Sequence, residues 1–227
     1  MPNKLTLTSS GADERREEIA NAIKSIGVQE KLTVECTDDF FGAITALLRE
    51  LKGEFVWAPL LSGPDLWKGE ITKFTTNDAI HTSIVGYMSF DHKRCDELYA
   101  DAEAAWNEGD SATAAELLRS FDLGMRRHLG EEENILFPAF TAATGMEGGP
   151  VQVMLMEHDQ MRGVLTQMEE AIAADDLDTA FANGDTMVIL MQQHNVKEEG
   201  ILYPMLEQHA GPDLEETIRN LQTYVAP

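Results

Sequence analysis

Two eleven-residue stretches, HLGEEENILFP at 128–138 and HNVKEEGILYP at 194–204, constrain this chain more than any other feature of it. Each opens on a histidine and carries a glutamate four places on: His128 with Glu132, and His194 with Glu198. On a helix, residues four apart share a face, with about 5–6 Å between Cβ atoms. An imidazole and a carboxylate so spaced can reach one metal ion. Glu133 and Glu199, one residue further, point roughly 100° away. The two copies begin 66 residues apart, and the same interval separates His92 from His158, each preceded by an acid, Asp91 or Glu157. Met88 and Met154, and Met125 and Met191, repeat at that interval too. Repetition at a fixed period implies two helix pairs in tandem, packed about a pseudo-twofold axis.

The flanking punctuation agrees. Thr76-Asn77-Asp78 can cap a helix running to about Trp106, and further helices are expected at about 111–143, 151–174 and 177–210, with a short fifth at 214–225. Four long helices on short loops make an up-down-up-down four-helix bundle. Pro138 and Pro204 should each kink a helix beyond its ligands by removing a backbone donor. Gly184, inside the fourth helix, costs about 1 kcal/mol relative to alanine.

Residues 1–75 read differently. Strand-like LTLTS (5–9), a helix at 12–27 with Ile19 and Ile23 in its stripe, strand KLTVEC (31–36) and a helix at 38–51 capped by Thr37 or Asp38 come first. A hairpin follows, EFVWAPLL and DLWKGEITKF about an SGP turn. The order βαβαββ is an α+β layer. Charge marks the same boundary: residues 1–75 carry 9 basic and 12 acidic side chains, and residues 76–227 carry 8 and 28. The chain is thus expected to hold a domain at 1–75 and a bundle at 76–227.

A formal net charge of −23 argues against nucleic acid and against an anionic membrane surface. No apolar run is long enough to span a bilayer, the N-terminal residues lack a signal-peptide core, and two cysteines make no disulfide framework. A reducing cytoplasm is the expected location.

A lone H-x-x-x-E is ordinarily an exposed i,i+4 pair. Folded into a bundle, four histidines and two glutamates can converge at mid-height, too many for a closed tetrahedral zinc site. They suit two metals bridged by carboxylates, each with two imidazoles and spare positions. Imidazole and carboxylate fit iron, with manganese or zinc also compatible. Without a cation, six ionisable groups in a core would be costly.

His92, HLGEEENILFP, EHDQMR (157–162) and HNVKEEGILYP together resemble the hemerythrin-like, HHE cation-binding family, over about residues 77–222. The resemblance implies a non-haem di-iron centre, two iron ions with an oxo or hydroxo bridge. His92 and His128 would serve one iron, His158 and His194 the other, and Glu132 and Glu198 would bridge. Oxygen carriers of the family have a further histidine where Arg162 stands, and a bridging aspartate where Glu199 stands. The chain looks more like HHE proteins tied to iron sensing or to repair of nitrosatively damaged iron centres. EFVWAPLLSGPDLWKGEITK (54–73) resembles part of a small domain similar in fold to TusA-type sulfur carriers. Those carry a Cys-Pro after the first strand, whereas Ser9-Ser10-Gly11 stands here, so sulfur transfer is not expected.

The expected function is binding or sensing of O2, NO or peroxide at a His4Glu2 centre. Iron handling or iron-sulfur repair, a di-iron peroxidase or oxidase, and an adaptor recruiting a protein through residues 1–75 are the alternatives. No tyrosine or further acid is evidently catalytic. His81, about 16 Å along the helix from His92, lies too far to join the site. Cys36 and Cys95 read as buried thiols and the four methionines as an apolar wall. Asp91 and Glu157 are candidates to orient histidines.

Overall fold

The computed structural model describes residues 3–146 and 148–225. The chain separates into two units, one formed by residues up to Thr82 with Gln222–Val225, the other by Ser83–Leu221. Among the described residues no helix is long and apolar enough to cross a membrane.

The first unit is a four-stranded sheet in the order β1-β2-β4-β3. β1 (Asn3–Thr6) and β2 (Lys31–Cys36) run parallel, joined by α1 (Ala12–Ser25). After α2 (Phe41–Glu50), β3 (Phe55–Ser62) and β4 (Trp67–Lys73) form the antiparallel hairpin, and β4 pairs with β2. Alternation in KLTVEC buries Leu32, Val34 and Cys36, against which Ile19 and Ile23 of α1 and Ile44 and Leu47 of α2 pack. β1 lies at 3–6 rather than 5–9, because register with β2 pairs Asn3 with Leu32 and Thr6 with Glu35. Neither Thr37 nor Asp38 caps α2. Asp39 accepts from the Phe41 amide at 2.9 Å, and Asp38 pairs with Arg15 at 2.8 Å.

The helix expected from residue 77 is broken. Asp78 accepts from the Thr75 amide and hydroxyl at 2.8 Å, and a short α3 (Ala79–Thr82) ends at extended Ser83. Ser83 Oγ accepts from the Gly86 amide at 3.0 Å and so caps α4 (Ile84–Asn107).

In the second unit α4 packs on α5 (Ser111–Glu131), and α7 (Pro150–Ala173) on α8 (Leu177–Lys197). The repeat extends to the loops. Asp110 and Asp176, 66 apart, cap α5 and α8 by accepting from Thr113 and Thr179 amides at 3.1 Å. Gly109 and Asp175 before them share a left-handed φ of 82° and 58°, which aspartate tolerates better than most residues.

Both helices that carry an H-x-x-x-E pair are interrupted where one continuous helix was expected. Glu132–Leu136 and Glu198–Leu202 are π turns, followed by α6 (Phe137–Thr144) and α9 (Tyr203–Ala210). Phe137 and Tyr203 amides donate to Glu132 and Glu198 carbonyls, five residues back. Pro138 and Pro204 follow at once, so the distortion is a widened turn ahead of each proline, and such turns recur at functional sites. A 3-10 turn (Gly211–Asp213) leads to α10 (Leu214–Thr223).

Gly184 has a packing reason. A Cβ there would lie 2.4 Å from the ring and hydroxyl of Tyr99, which bonds Phe181 O and Asp185 Oδ1 at 3.2 Å.

Candidate metal centre

The six predicted residues come from six places in the bundle: His92 from α4, His128 from the end of α5, Glu132 from the first π turn, His158 from α7, His194 from the end of α8, and Glu198 from the second π turn. None is more than 5% exposed. Nε2 of His92 lies 3.0 Å from Nε2 of His128, and Nε2 of His158 lies 3.2 Å from Nε2 of His194. The glutamates stand between these pairs. Glu132 Oε2 is 3.1 Å from His158 Nε2 and 3.8 Å from His128 Nε2. Glu198 lies 3.4 Å from His92 Nε2 and 2.9 Å from His194 Nε2. Each carboxylate therefore touches both pairs, as a bridging ligand must.

The donors fit a cation. Two imidazole nitrogens facing each other at 3.0 Å cannot both be bare without repulsion. Glu132 Oε2 and Glu198 Oε1 are buried and make no hydrogen bond. A buried acceptor left so costs about 1–3 kcal/mol, more when charged. A metal held by nitrogen and oxygen donors would relieve both conditions.

The outward ring nitrogens are all held. Nδ1 of His128 bonds Asp91 at 3.0 Å, His194 bonds Glu157 at 2.8 Å, His158 bonds Glu133 at 2.8 Å, and His92 bonds Glu199 at 2.7 Å. An ionised carboxylate only accepts, so each Nδ1 carries a proton, and a ring that holds a metal in the neutral form turns its Nε2 lone pair inward. Asp91 and Glu157 each orient the histidine of the neighbouring helix. Glu133 and Glu199 do point away from the cage, but they are not idle: each holds a histidine of another helix. The bonds run in a ring, α4 to α5, the first π turn to α7, α7 to α8, and the second π turn back to α4. Arg162, at the position of the oxygen carriers' extra histidine, clamps Glu133 at 2.8 Å.

Tyr203 is the site residue that sequence reasoning missed. Fully buried, its hydroxyl lies 2.5 Å from Glu132 Oε1 and 2.9 Å from Glu198 Oε2. In an unbroken α-helix, a residue five beyond Glu198 would sit roughly 140° round the axis. The π turn returns it to the face of Glu198. Its counterpart is Phe137, whose ring lies 5.3 Å from that of His158. The signal was present in the change from ILFP to ILYP, one hydroxyl added to one copy.

The cage is strongly polarised in the absence of metal. Burial opposes charge on His92, but Glu198 and Glu199 carry it up to about 9. Burial opposes charge on His194 too, and Glu132 and Glu198 raise it to about 10. Burial would raise Glu132, yet His128 and the nearby rings of His158 and His194 hold it well below the usual range. Burial, with Glu132 and Glu198, keeps Tyr203 protonated far above its ordinary value. Protons thus occupy the charge balance that a cation would take over.

The two halves differ behind the histidines. Asp91 is buried with Arg94 at 2.8 Å and Arg127 at 3.7 Å, and Arg127 reaches Glu131 at 2.8 Å and Tyr87 at 3.0 Å. Burial opposes charge on Asp91, but Arg94, His128 and Arg127 outweigh it and hold the carboxyl well below the usual range. In the other half Glu157 is partly exposed and pairs with Lys197.

The remaining singled-out residues lie elsewhere. His81 belongs to the first unit, 3.0 Å from Gln222 Nε2. Cys95 is buried in the bundle core, and burial pushes its thiol up to about 12, so it holds no thiolate near neutrality. Met88, Met125, Met154 and Met191 are all buried.

No curated protein and no solved structure matches the chain. The hemerythrin HHE cation-binding domain matches residues 83–206, more than half of the 227. That span contains all six cage residues and the four acids behind the histidines. By that match and by the bundle that carries it, the chain belongs to the hemerythrin HHE cation-binding family.

Proposed function

We propose that His92, His128, Glu132, His158, His194 and Glu198 hold two iron ions as a non-haem di-iron centre, and that the protein binds or senses a small molecule, O2, NO or peroxide, there. The observation carrying this reading is the pair of buried, unbonded carboxylate oxygens, Glu132 Oε2 and Glu198 Oε1, set between two facing imidazole pairs. When bound, iron held by these residues would supply electron density to a small oxidising or π-accepting ligand.

The chain's own groups define the surroundings. Asp91, Glu133, Glu157 and Glu199 fix the four rings, so the donor atoms are arranged before a metal arrives. Burial of all six ligands excludes bulk water and favours a small ligand over a large substrate. Tyr203 holds the other carboxylate oxygen of Glu132 and of Glu198. Binding or sensing is favoured over turnover because, among the described residues, no acid-base group beyond these is aimed into the cage.

Metal analysis of purified protein, followed by anaerobic titration with O2, NO and peroxide under visible spectroscopy, tests the reading. Two irons per chain and new absorption with at least one ligand are expected. His128→Ala or Glu198→Ala should lower iron below two per chain. Retention of both irons in either variant counts against the ligand set, and silence toward all three ligands counts against sensing.

A further inference from the structure

The repeat creates two equivalent grooves beside the cage, and they differ in sign. Between α5 and α7, Arg162 bonds Glu133 at 2.8 Å and Arg126 bonds Glu169 at 3.1 Å, so the helices are stitched together. Sixty-six residues away, Arg162 and Glu133 become Asp96 and Glu199, and Arg126 and Glu169 become Gln192 and Glu103. Between α4 and α8 an acid therefore faces an acid where the other groove has an ion pair. A cavity of about 380 Å³ lies there, walled in part by Ser89, His92, Asp96, Asn195 and Glu199. His92 is 5% exposed at its edge, whereas His158 is 0% exposed. Lys93, also at this cavity, turns toward Glu97 at 3.7 Å. A second hollow of about 450 Å³ touches Glu133, Phe137 and Leu155, but no histidine forms its wall. The Phe137 ring stands against His158 there.

We propose that the groove between α4 and α8 is the path by which metal ions enter and leave the cage, Asp96 and Glu199 drawing the cation in and His92 closing behind it. The inference rests on the reading of the cage as a metal centre. A hydrated cation sheds water stepwise, and carboxylates along its way replace that water at low cost. Acidic side chains that outnumber the one lysine at a groove also concentrate cations there and speed their arrival. The innermost carboxylate is already in contact with the inner ligands, since Glu199 holds the outer nitrogen of His92 at 2.7 Å while its own side chain remains 41% exposed. Swinging that carboxylate and ring aside opens the cage without moving a helix. The corresponding motion at His158 would first have to break the Arg162–Glu133 pair.

The test uses the full-length chain, stripped of metal and reloaded anaerobically with ferrous iron. Loading rate, rate of release to excess ferrous chelator, and final metal content are recorded. Asp96→Arg copies the Arg162–Glu133 pair onto the open groove. It should slow loading and release about tenfold while leaving final content unchanged. Asp96→Asn, a milder change that keeps the fold if the arginine does not, should slow loading by a smaller factor. Arg162→Asp, in the opposite groove, should slow neither. Wild-type rates in both Asp96 variants, or slowing by Arg162→Asp instead, overturn the path while leaving the metal centre standing. A wild-type chain that takes up no metal overturns both.

Discussion

The hydroxyl of Tyr203 lies 2.5 Å from a carboxylate oxygen of Glu132, 71 residues earlier in the chain, and the equivalent position in the other half is a phenylalanine. One oxygen atom thus makes an otherwise duplicated cage unequal. Tyr203→Phe leaves the packing intact and removes the donor from Glu132 and Glu198. The metal-free protein should lose about 1–3 kcal/mol, read from urea unfolding in chelator. A variant as stable as the wild type would assign Tyr203 to packing alone.

The four acids behind the histidines give a second expectation. Glu133→Ala frees Nδ1 of His158, and Glu157→Ala frees that of His194. Each should weaken metal affinity about 10–100-fold in a competition titration, with helical circular dichroism unchanged. Unaltered affinity in both variants would make them ordinary surface charges.

Stability of the metal-free chain should depend on pH in a defined direction. His92 and His194 titrate at about 9 and about 10 when folded, against 6.5 for an unperturbed histidine. A raised pKa stabilises fully below the unfolded value and is lost as pH rises through the folded one. The urea midpoint in chelator should therefore fall between pH 7 and 10. Metal-loaded protein, whose cage holds cations in place of those protons, should show a flatter profile over the same window. A midpoint that rises with pH in chelator would contradict the polarised cage.

Gly184 provides a prediction whose sign decides between two causes. Helix propensity alone makes Gly184→Ala stabilising by about 1 kcal/mol. The 2.4 Å approach of Tyr99 makes it destabilising instead, by about 1–3 kcal/mol of overpacking. Thermal unfolding separates the two, and Tyr99→Leu, copying Leu165 of the other half, should relieve the cost.

The sequence by itself determined everything that repeats locally. The 3.6-residue period, the loop signals and the 66-residue offset specify the helices of a bundle, and i,i+4 spacing puts each His-x-x-x-Glu pair on one face. The α+β order of the first unit was equally legible, since alternation and turn residues act over a few positions. What lay beyond it depends on other helices. The Ser83 cap and the Asp39 bond to the Phe41 amide displaced the expected caps because several adjacent residues could serve, and hydrogen-bond geometry chose among them. The π turns were hidden because a proline announces a disturbed helix without saying how the turn widens. Only tertiary packing decided that Glu133 and Glu199 reach histidines 25 and 107 residues away, that Tyr203 enters the cage, and that one groove is closed by an ion pair while its twin is open. Spacing along a helix sets which side chains share a face, but the partner across the gap is fixed by which helix packs there.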